Sequence, residues 1–565
     1  GCICAAAEEM RMRRGGHGTF GWLCSAVGGR AAGIGVLTLL QAIASLAGVL
    51  FALLCRRVID SAASGSMDGI YRDGAALLLV MLAQIACYFL IRVYGPLLEA
   101  RLDIRLQKRF LHAALTGSYE KVSAYHTGSL LSRIQGDVGT VCGWCVSFLP
   151  TLAGIVVRLL GAFFVLFALD RRFTLCMSAI CILVAAASGL YRSRLRGLSA
   201  RVRESGERIV GCCQEAFSNT LAIRAFHAGE RMEARAGQLL EERYGLFRRR
   251  VCLTSAAGTG MRLVFQGIYT VGILWCVRGI AVGTMTYGTL TAVVQLLHQL
   301  QSPVSGLSGA AGQTTSMLVS AERLMEIEAL ADGGTHAEPL PEGCSFAWVE
   351  AEALSFSWPG REVLEQTSFC LRRGQRVLLR GESGCGKTTF LKILTGICPH
   401  EAIHLVTGDG RVFSPENVEG LFAYVPQGNL LFSGTVRDNI CFLSGAKPEE
   451  EELRSVLHAS AVEEYLDLLP DGLDTVIGER GFGLSEGQAQ RIAVARALMS
   501  GAPILILDEA TSALDEALEA RMLERISALP DRTCLIVSHR PAAERFCSEV
   551  WTIEHKKIVI KKKEE

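Results

Sequence analysis

From residue 31 to residue 55 the chain runs without a single charged side chain. A helix needs roughly 20 mainly apolar residues to cross the hydrocarbon of a bilayer, and lipid tolerates only backbone that satisfies its own hydrogen bonds. This stretch meets that requirement, and five more follow it. Residues 74–91 form the second, running on through Arg92 toward Leu98. Residues 141–169 form the third, interrupted only by Arg158, and 173–190 the fourth. The tight charged turn Asp170-Arg171-Arg172 separates those two, so they make a hairpin. Residues 251–277, holding Arg262, are the fifth, and 287–307 the sixth, with Pro303 as a predicted kink. Buried helices of a soluble protein imitate one such run but not six in succession.

The apolar excess behind the 50 % hydrophobic composition concentrates before about residue 315, and the remainder reads as a soluble α/β domain. At 565 residues more than one domain is expected. We therefore expect an N-terminal segment at 1–30, a membrane domain at 31–328, a Gly-, Pro- and Glu-rich linker at 329–343 and an α/β domain at 344–565. With only about 30 residues ahead of the first span, a peptidase-like domain, and hence a leader-cleaving exporter, is not expected. Arg11, Arg13 and Arg14 lead into Phe20, Trp22 and Leu23 with no convincing small-residue cleavage site, which predicts an interfacial elbow helix rather than a signal peptide.

Basic residues set the orientation. They crowd the connection after the second span (Arg101, Arg105, Lys108, Arg109, Lys121, Arg133) and the one after the fourth (Arg192, Arg194, Arg196 through Arg248, Arg249, Arg250). Both connections, and with them both chain ends, are expected in the cytoplasm, the protein being multi-pass in a plasma membrane. Net charge is only +1, which excludes a nucleic-acid partner held by bulk electrostatics. The 20 cysteines lie largely within apolar runs, as at Cys87, Cys142, Cys145, Cys176, Cys181 and Cys276, where a free thiol packs as a small hydrophobe. Cys212-Cys213 and Cys2-x-Cys4 lack the second ligand pair of a zinc site.

The second domain carries the chemistry. Gly381-Glu-Ser-Gly-Cys-Gly-Lys387-Thr388-Thr389 follows a strand at 377–379 and opens an apolar helix near Phe390, the context a phosphate-binding loop requires. Gly381, Ser383, Gly384, Cys385, Gly386 and Thr389 contribute backbone and side-chain groups to the cradle. Lys387 neutralises β- and γ-phosphate charge, and Thr388 is a Mg²⁺ ligand. The apolar strand 504–507 ends in Asp508 and Glu509. Asp508 suits orientation of Mg²⁺ through water, and Glu509 suits general-base attack by water.

Leu484-Ser485-Glu486-Gly487-Gln488, continuing Ala489-Gln490-Arg491, resembles the signature motif of ABC ATPases. The family's other elements appear in order: Trp358 where an aromatic stacks on adenine, Gln427 in Tyr-Val-Pro-Gln as the Q-loop, Ser512-Ala-Leu-Asp515 as the D-loop and His539 as the switch histidine. Gly478-Glu479-Arg480-Gly481 is similar to a short motif of exporter ATPase domains. Six spans ahead of this domain resemble a type IV (exporter-fold) ABC half-transporter over nearly the whole chain. The resemblance implies an all-α six-helix membrane domain joined to an α/β P-loop ATPase, using ATP and Mg²⁺. It also implies a second half-transporter subunit, identical or different, because Ser485, Gly487 and Gln488 of one subunit close over the ATP of the other. Gln427 then serves both metal and catalysis, beside Glu509 and His539. The segments around 119–126 and 218–226 resemble coupling helices. One departure stands out: Glu486 replaces the family's glycine, placing a carboxylate near phosphate, but with Glu509 and His539 intact a competent site is expected.

Charged side chains inside spans face cavities more readily than lipid. Arg158, Arg262, Arg92 and His298 are therefore candidates for a positively charged path for an amphipathic or anionic substrate such as a lipid, a peptide or a modified metabolite, with Gln84, Gln266, Gln295 and Gln299 nearby. Snorkelling and helix–helix contact are the competing roles, above all for Arg92 and Arg262. An importer, for instance of siderophores, or an ATP-gated channel or regulator keeps every motif and differs only in what moves.

Overall fold

The computed structural model describes residues 17–125, 127–331, 337–341, 344–358, 360–398, 400–428, 431–442, 448–478, 483–529 and 532–563, except the side chains of 17, 127, 181–193, 196, 301–309 and 311. Cys2, Cys4, Arg11, Arg13, Arg14 and Glu479-Arg480-Gly481 lie outside this set, as do the side chains of Cys181, Arg192, Arg196 and Pro303 and residues 332–336 and 342–343 of the linker. The chain forms two compact units, one of residues 1–112 and 127–327, the other of 113–126 and 328–565.

In the first unit each apolar run sits within a longer helix. After α1 (His17–Val27) come α2 (Ala31–Ala63) and α3 (Met67–Thr116). At 1.5 Å per residue the 50 residues of α3 span about 75 Å, more than twice the hydrocarbon thickness, so its charged end must project into water. A short helix α4 (Tyr119–Ser123) belongs to the second unit. Next come α5 (Gly128–Leu169), α6 (Arg171–Ser218), the short α7 (Thr220–Ala225), α8 (Gly229–Ala281) and α9 (Tyr287–Glu328). Among the described residues, the helical stretches Gly18–Ala63, Met67–Thr116, Gly128–Leu169 and Gly229–Ala281 contain windows long and apolar enough to cross a membrane. The remaining two long helices, α6 and α9, hold most of the side chains outside the description. The backbone of α9 continues as helix through Pro303.

Small residues bring these helices together. A Cβ added to Gly161 of α5 would lie 3.2 Å from the Val49 side chain of α2, and one at Gly154 would lie 3.2 Å from the Ser45 hydroxyl. Such close approach replaces the hydrophobic drive that lipid removes. Asp170 caps α6 by accepting from the Phe173 N–H at 3.0 Å and also accepts from the Trp275 indole at 2.9 Å, which fixes the hairpin. Farther along, Arg133 pairs with Glu326 at 2.7 Å and Asp137 accepts from Ser320 at 2.7 Å, joining α5 to α9. Trp22 of α1 is committed to protein packing: its ring stacks on Phe110 of α3 with centroids 6.3 Å apart.

The second unit contains two larger sheets and, among the described residues, two short two-stranded pairings. β1 (Phe346–Trp358) pairs antiparallel with β2 (Arg361–Arg372) and with β4 (Ile403–Thr407). The larger sheet is built from β3 (Arg376–Gly381), β5 (Phe422–Val425), β6 (Ile504–Asp508), β7 (Thr533–Val537), β8 (Glu549–Glu554) and β9 (Lys557–Lys562), in the order β9-β8-β3-β7-β6-β5. Only β9 is antiparallel. Its central strands β6 and β7 are buried at every position, which explains their uninterrupted apolar composition. Phe369, Phe390 and Trp551 meet in one cluster that locks the helix carrying Phe390 against the sheet.

Candidate nucleotide site

Four adjacent parallel strands, β5, β6, β7 and β3, deliver the expected residues from their C-terminal ends. Gln427 follows β5, Asp508 ends β6 with Glu509 behind it, His539 follows β7, and the glycine-rich loop follows β3. Motifs separated by more than 150 residues in sequence therefore share one edge, the place where open α/β sheets bind ligands.

The loop leads into α10 (Lys387–Leu394). Gly386, at its N-cap, has φ 109°, and a Cβ there would stand 2.4 Å from the Val363 methyl, so only glycine fits. Gly384 has φ 80° with open space on its Cβ side, leaving the cradle accessible, and Arg361 donates to its carbonyl at 2.9 Å. The Lys387 ammonium donates to the Gly381 and Glu382 carbonyls at 2.7 and 3.2 Å. Trp358 is half-buried; its indole N–H donates to the Thr389 hydroxyl at 3.3 Å, tying the aromatic to the start of α10. The thiol of Cys385 and the hydroxyl-bearing Ser383 complete the loop.

Asp508 is buried, and burial raises its carboxyl pKa against the lowering effect of a hydrogen bond from the Tyr424 hydroxyl at 3.1 Å. Glu509 holds a left-handed backbone, φ 51°, fixed by its N–H donating to the Val537 carbonyl at 3.1 Å. A non-glycine residue in this region is strained, and such strain clusters at functional sites. The Gln427 amide nitrogen donates to the Glu509 carboxylate at 2.7 Å, leaving its amide oxygen for another partner. Thr388, Asp508 and Gln427 thus offer the hard oxygen donors that suit Mg²⁺ beside a phosphate cradle. His539 is exposed.

The remaining predicted residues are organised around a second loop. Ser485 is the N-cap of α11 (Glu486–Met499): the Gln488 N–H donates to its hydroxyl at 3.3 Å, and its own N–H donates to the Gln488 side chain at 2.8 Å. Glu486 takes the first helical position and is exposed, where unpaired N–H groups favour a carboxylate. The departure from the family pattern is thus locally stabilising. Asp515 likewise caps α12 (Glu516–Ser527), accepting from the Leu518 N–H at 2.8 Å.

Between these caps runs 511–514, clamped by residues that motif reading assigned no role. Gln490 donates to the Ser512 hydroxyl at 3.1 Å and accepts from the Ala513 N–H at 3.1 Å. From the other side Arg540 donates to the Ser512 carbonyl at 2.5 Å and to the Leu514 carbonyl, and pairs with the fully buried Glu519 at 3.3 Å. Glu519 also accepts from Thr511 at 2.7 Å. The only sequence signals were positional: Arg540 directly follows His539, and Gln490 lies inside the signature stretch.

Residues 34–304 match the family described as "ABC transporter transmembrane region", and residues 364–512 match "ABC transporter". The chain is an ABC half-transporter. This half-transporter carries its membrane region first and its ATPase domain second, hydrolyses ATP and belongs to the integral membrane proteins that work as dimers. It is 28 % identical over 445 residues to an ATP-dependent lipid A-core flippase of Bordetella pertussis, covering 77 % of this chain and 70 % of that one. It is 30 % identical over 468 residues to a human mitochondrial potassium channel ATP-binding subunit, covering 79 % and 62 %. Its fold is that of a bacterial Atm1-family ABC exporter solved with ATP bound, with a TM-score of 0.76, 21 % identity and coverage of 94 % and 95 %.

In the membrane unit the four candidate path residues part company. Arg158 is half-buried: its guanidinium donates to the Tyr88 hydroxyl at 3.1 Å, while its Nε is buried without a partner. Arg92, Arg262 and His298 are exposed in the single chain. Gln299 donates to the Gly48 carbonyl at 3.0 Å, and its own side-chain oxygen and that of Gln295 are buried without donors.

Proposed function

We propose that two copies of this half-transporter, or one copy and a homologous half, use ATP to export or flip an amphipathic, anionic molecule across a plasma membrane, with both chain ends cytoplasmic. The convergence of the glycine-rich loop, Gln427, Asp508-Glu509 and His539 at one sheet edge carries the reading. Backbone N–H groups of 381–386, with Lys387 and Thr389, hold the phosphates, and Trp358 supports the base. Mg²⁺, when bound, would neutralise phosphate charge, and Thr388, Asp508 and Gln427 would supply the oxygens that hold it. Glu509 takes the proton from the attacking water, oriented by Gln427, whose amide nitrogen already contacts it. His539 reaches the terminal phosphate. Ser485, Gly487, Gln488 and Asp515 act on the partner's nucleotide when the two ATP domains close, so nucleotide binding favours the closed state and hydrolysis releases it.

An exposed apolar end supports the dimer. Phe217, Leu221 and Phe226 around α7 are 80, 85 and 83 % exposed, a cost in water that a partner removes. The ATP unit presents a matching exposed pair, Phe432 and Phe442, stacked with ring centroids 4.5 Å apart. In this reading α7 of one chain seats on the ATP unit of the other, residues 329–343 being the linker between domains 31–328 and 344–565.

For the substrate, Arg158 is the favoured contact: a cation inside a span with an unpaired N–H is expensive unless it meets an anion. Resemblance to proteins named lipid A-core flippases supports an anionic lipid. The relative named as a channel subunit supports a second reading, in which ATP regulates a pathway rather than drives transport. In purified, reconstituted protein Glu509→Gln should lower vanadate-sensitive ATP turnover at least about a hundredfold while ATP still binds. Full turnover in this variant would remove the catalytic assignment, and substrate flux that persists in it would favour the gated pathway over the pump. Arg158→Ala should abolish stimulation of ATPase by anionic lipid; unchanged stimulation removes Arg158 from the path.

A further inference from the structure

Asp508 stands at the C-terminal end of β6 with its carboxylate buried, and its neighbours in the sheet decide which way it faces. In the parallel pairing of β6 with β5, Tyr424 lies opposite Ile506. Side chains of a strand alternate faces with a period of two, so Ile506 and Asp508 share one face, and Tyr424 projects along that same face. A phenol is long enough to reach two residues farther along, and its hydroxyl donates to Oδ2 of Asp508 at 3.1 Å. The Thr388 hydroxyl contributes a second hydrogen bond to the same carboxylate from the loop side. These two donors differ in kind. Thr388 belongs to the phosphate loop and has its own work at the metal, whereas Tyr424 comes from the strand leading to Gln427, three residues on. A carboxylate offers about four lone-pair sites, so a donor fixed on Oδ2 restricts its rotation without exhausting its capacity to face the ion or its water.

We infer that Tyr424 is a positioning residue for the metal: its hydroxyl holds the Asp508 carboxylate in the orientation that receives Mg²⁺. The same side chain links the strand carrying Gln427 to the strand carrying Asp508, so two groups that serve the ion keep a common frame. The inference rests on the assignment of Asp508 to Mg²⁺ made above.

Purified full-length protein in the Glu509→Gln background, titrated with Mn²⁺ in the presence of ATP and followed by electron paramagnetic resonance, tests it. Tyr424→Phe keeps the ring and removes only the hydroxyl. Loss of a hydrogen bond to a charged group should raise the half-saturating Mn²⁺ concentration about tenfold or more, with ATP affinity in EDTA unchanged. In the otherwise native enzyme the ATPase should show the same rise in half-saturating Mg²⁺, with kcat largely restored at high Mg²⁺. Adding Tyr424→Phe to Asp508→Asn should then have little further effect, since the carboxylate is already gone. Unaltered metal dependence in Tyr424→Phe overturns the inference, as do equal losses of ATP binding with and without metal, or effects of the two substitutions that simply add. If Asp508→Asn itself leaves metal dependence unchanged, the assignment of Asp508 fails; if it shifts while Tyr424→Phe does not, only the role of Tyr424 fails.

Discussion

In the membrane helices Leu39, Phe89 and Leu263 are 60, 66 and 70 % exposed, whereas in the ATP unit Leu378, Phe390 and Trp551 are completely buried. Large apolar residues obey one rule in both places, removal from water, but the first unit uses lipid for that purpose and the second uses itself. What holds each together differs accordingly. Lipid-facing helices gain little by burying leucine against leucine, so their contacts rely on close approach at Gly154 and Gly161 and on polar links such as that from Gln299 to the Gly48 carbonyl. The ATP unit relies on interlocked aromatics and on fully paired buried charge, as at Glu519.

The sharpest test of this contrast is Phe390→Ala, which empties the junction of Phe369 and Trp551 and should cost the ATP unit about 3–5 kcal/mol, read as a large fall in its unfolding midpoint. A drop no larger than that of a surface substitution would mean that the aromatic cluster is not what stabilises the domain. Arg540→Ala leaves the buried Glu519 carboxylate without its cation and should cost about 3 kcal/mol, while ATP turnover falls because 511–514 loses two anchors. Arg540→Lys, which restores the charge but not the fork of donors, should recover most of the stability and less of the turnover.

A lysine in place of an exposed leucine should separate the two solvents. At Leu160, 53 % exposed and midway along the apolar part of α5, the change should cost about 2.5–3.5 kcal/mol of membrane insertion. At Leu468, 79 % exposed in the ATP unit, it should lie within about 0.5 kcal/mol of neutral. Equal effects at the two sites, in a glycosylation-mapped insertion assay and a thermal melt, would break the comparison. The smallest effect is expected at the signature motif: Glu486→Gly removes a favourable first-turn charge and costs about 0.5 kcal/mol, while ATP affinity rises about twofold to fivefold as one carboxylate leaves the phosphate site. Lower affinity in that variant would mean that Glu486 contributes to binding.

Much of the site was legible in advance, because the phosphate loop, the acidic strand end and the signature stretch are local patterns. Their function needs particular residues at fixed covalent spacing, and spacing survives in a linear reading. The apolar spans were legible for a similar reason, four of them recurring among the described residues as helices able to cross a membrane, since a bilayer imposes one length and one composition on everything that crosses it. Trp22 was harder: an aromatic near a span end satisfies an interface and a protein partner equally well in sequence, and Phe110, its actual stacking partner, lies 88 positions away. Arg158, Arg92, Arg262 and His298 looked alike as polar residues within spans. Helix rotation alone separates the half-buried Arg158 from the other three, and no local pattern encodes it.

The order of the motifs, the presence of a membrane half and an ATPase half, and the identity of the groups available for chemistry all followed from the sequence by itself. Tertiary structure decided how those groups are held. The strand order β3-β7-β6-β5 brings four motifs to one edge, register puts the Tyr424 hydroxyl on Asp508, and the loop between β6 and α12 lets Gln490 and Arg540 grip 511–514 from opposite sides. Hydrogen bonds of this kind join residues 22 to 84 positions apart, and their geometry depends on packing that no nearest-neighbour pattern contains. The phosphate loop announced itself through its own glycines; the clamp and the tyrosine did not, because each is made by a partner that only folding supplies.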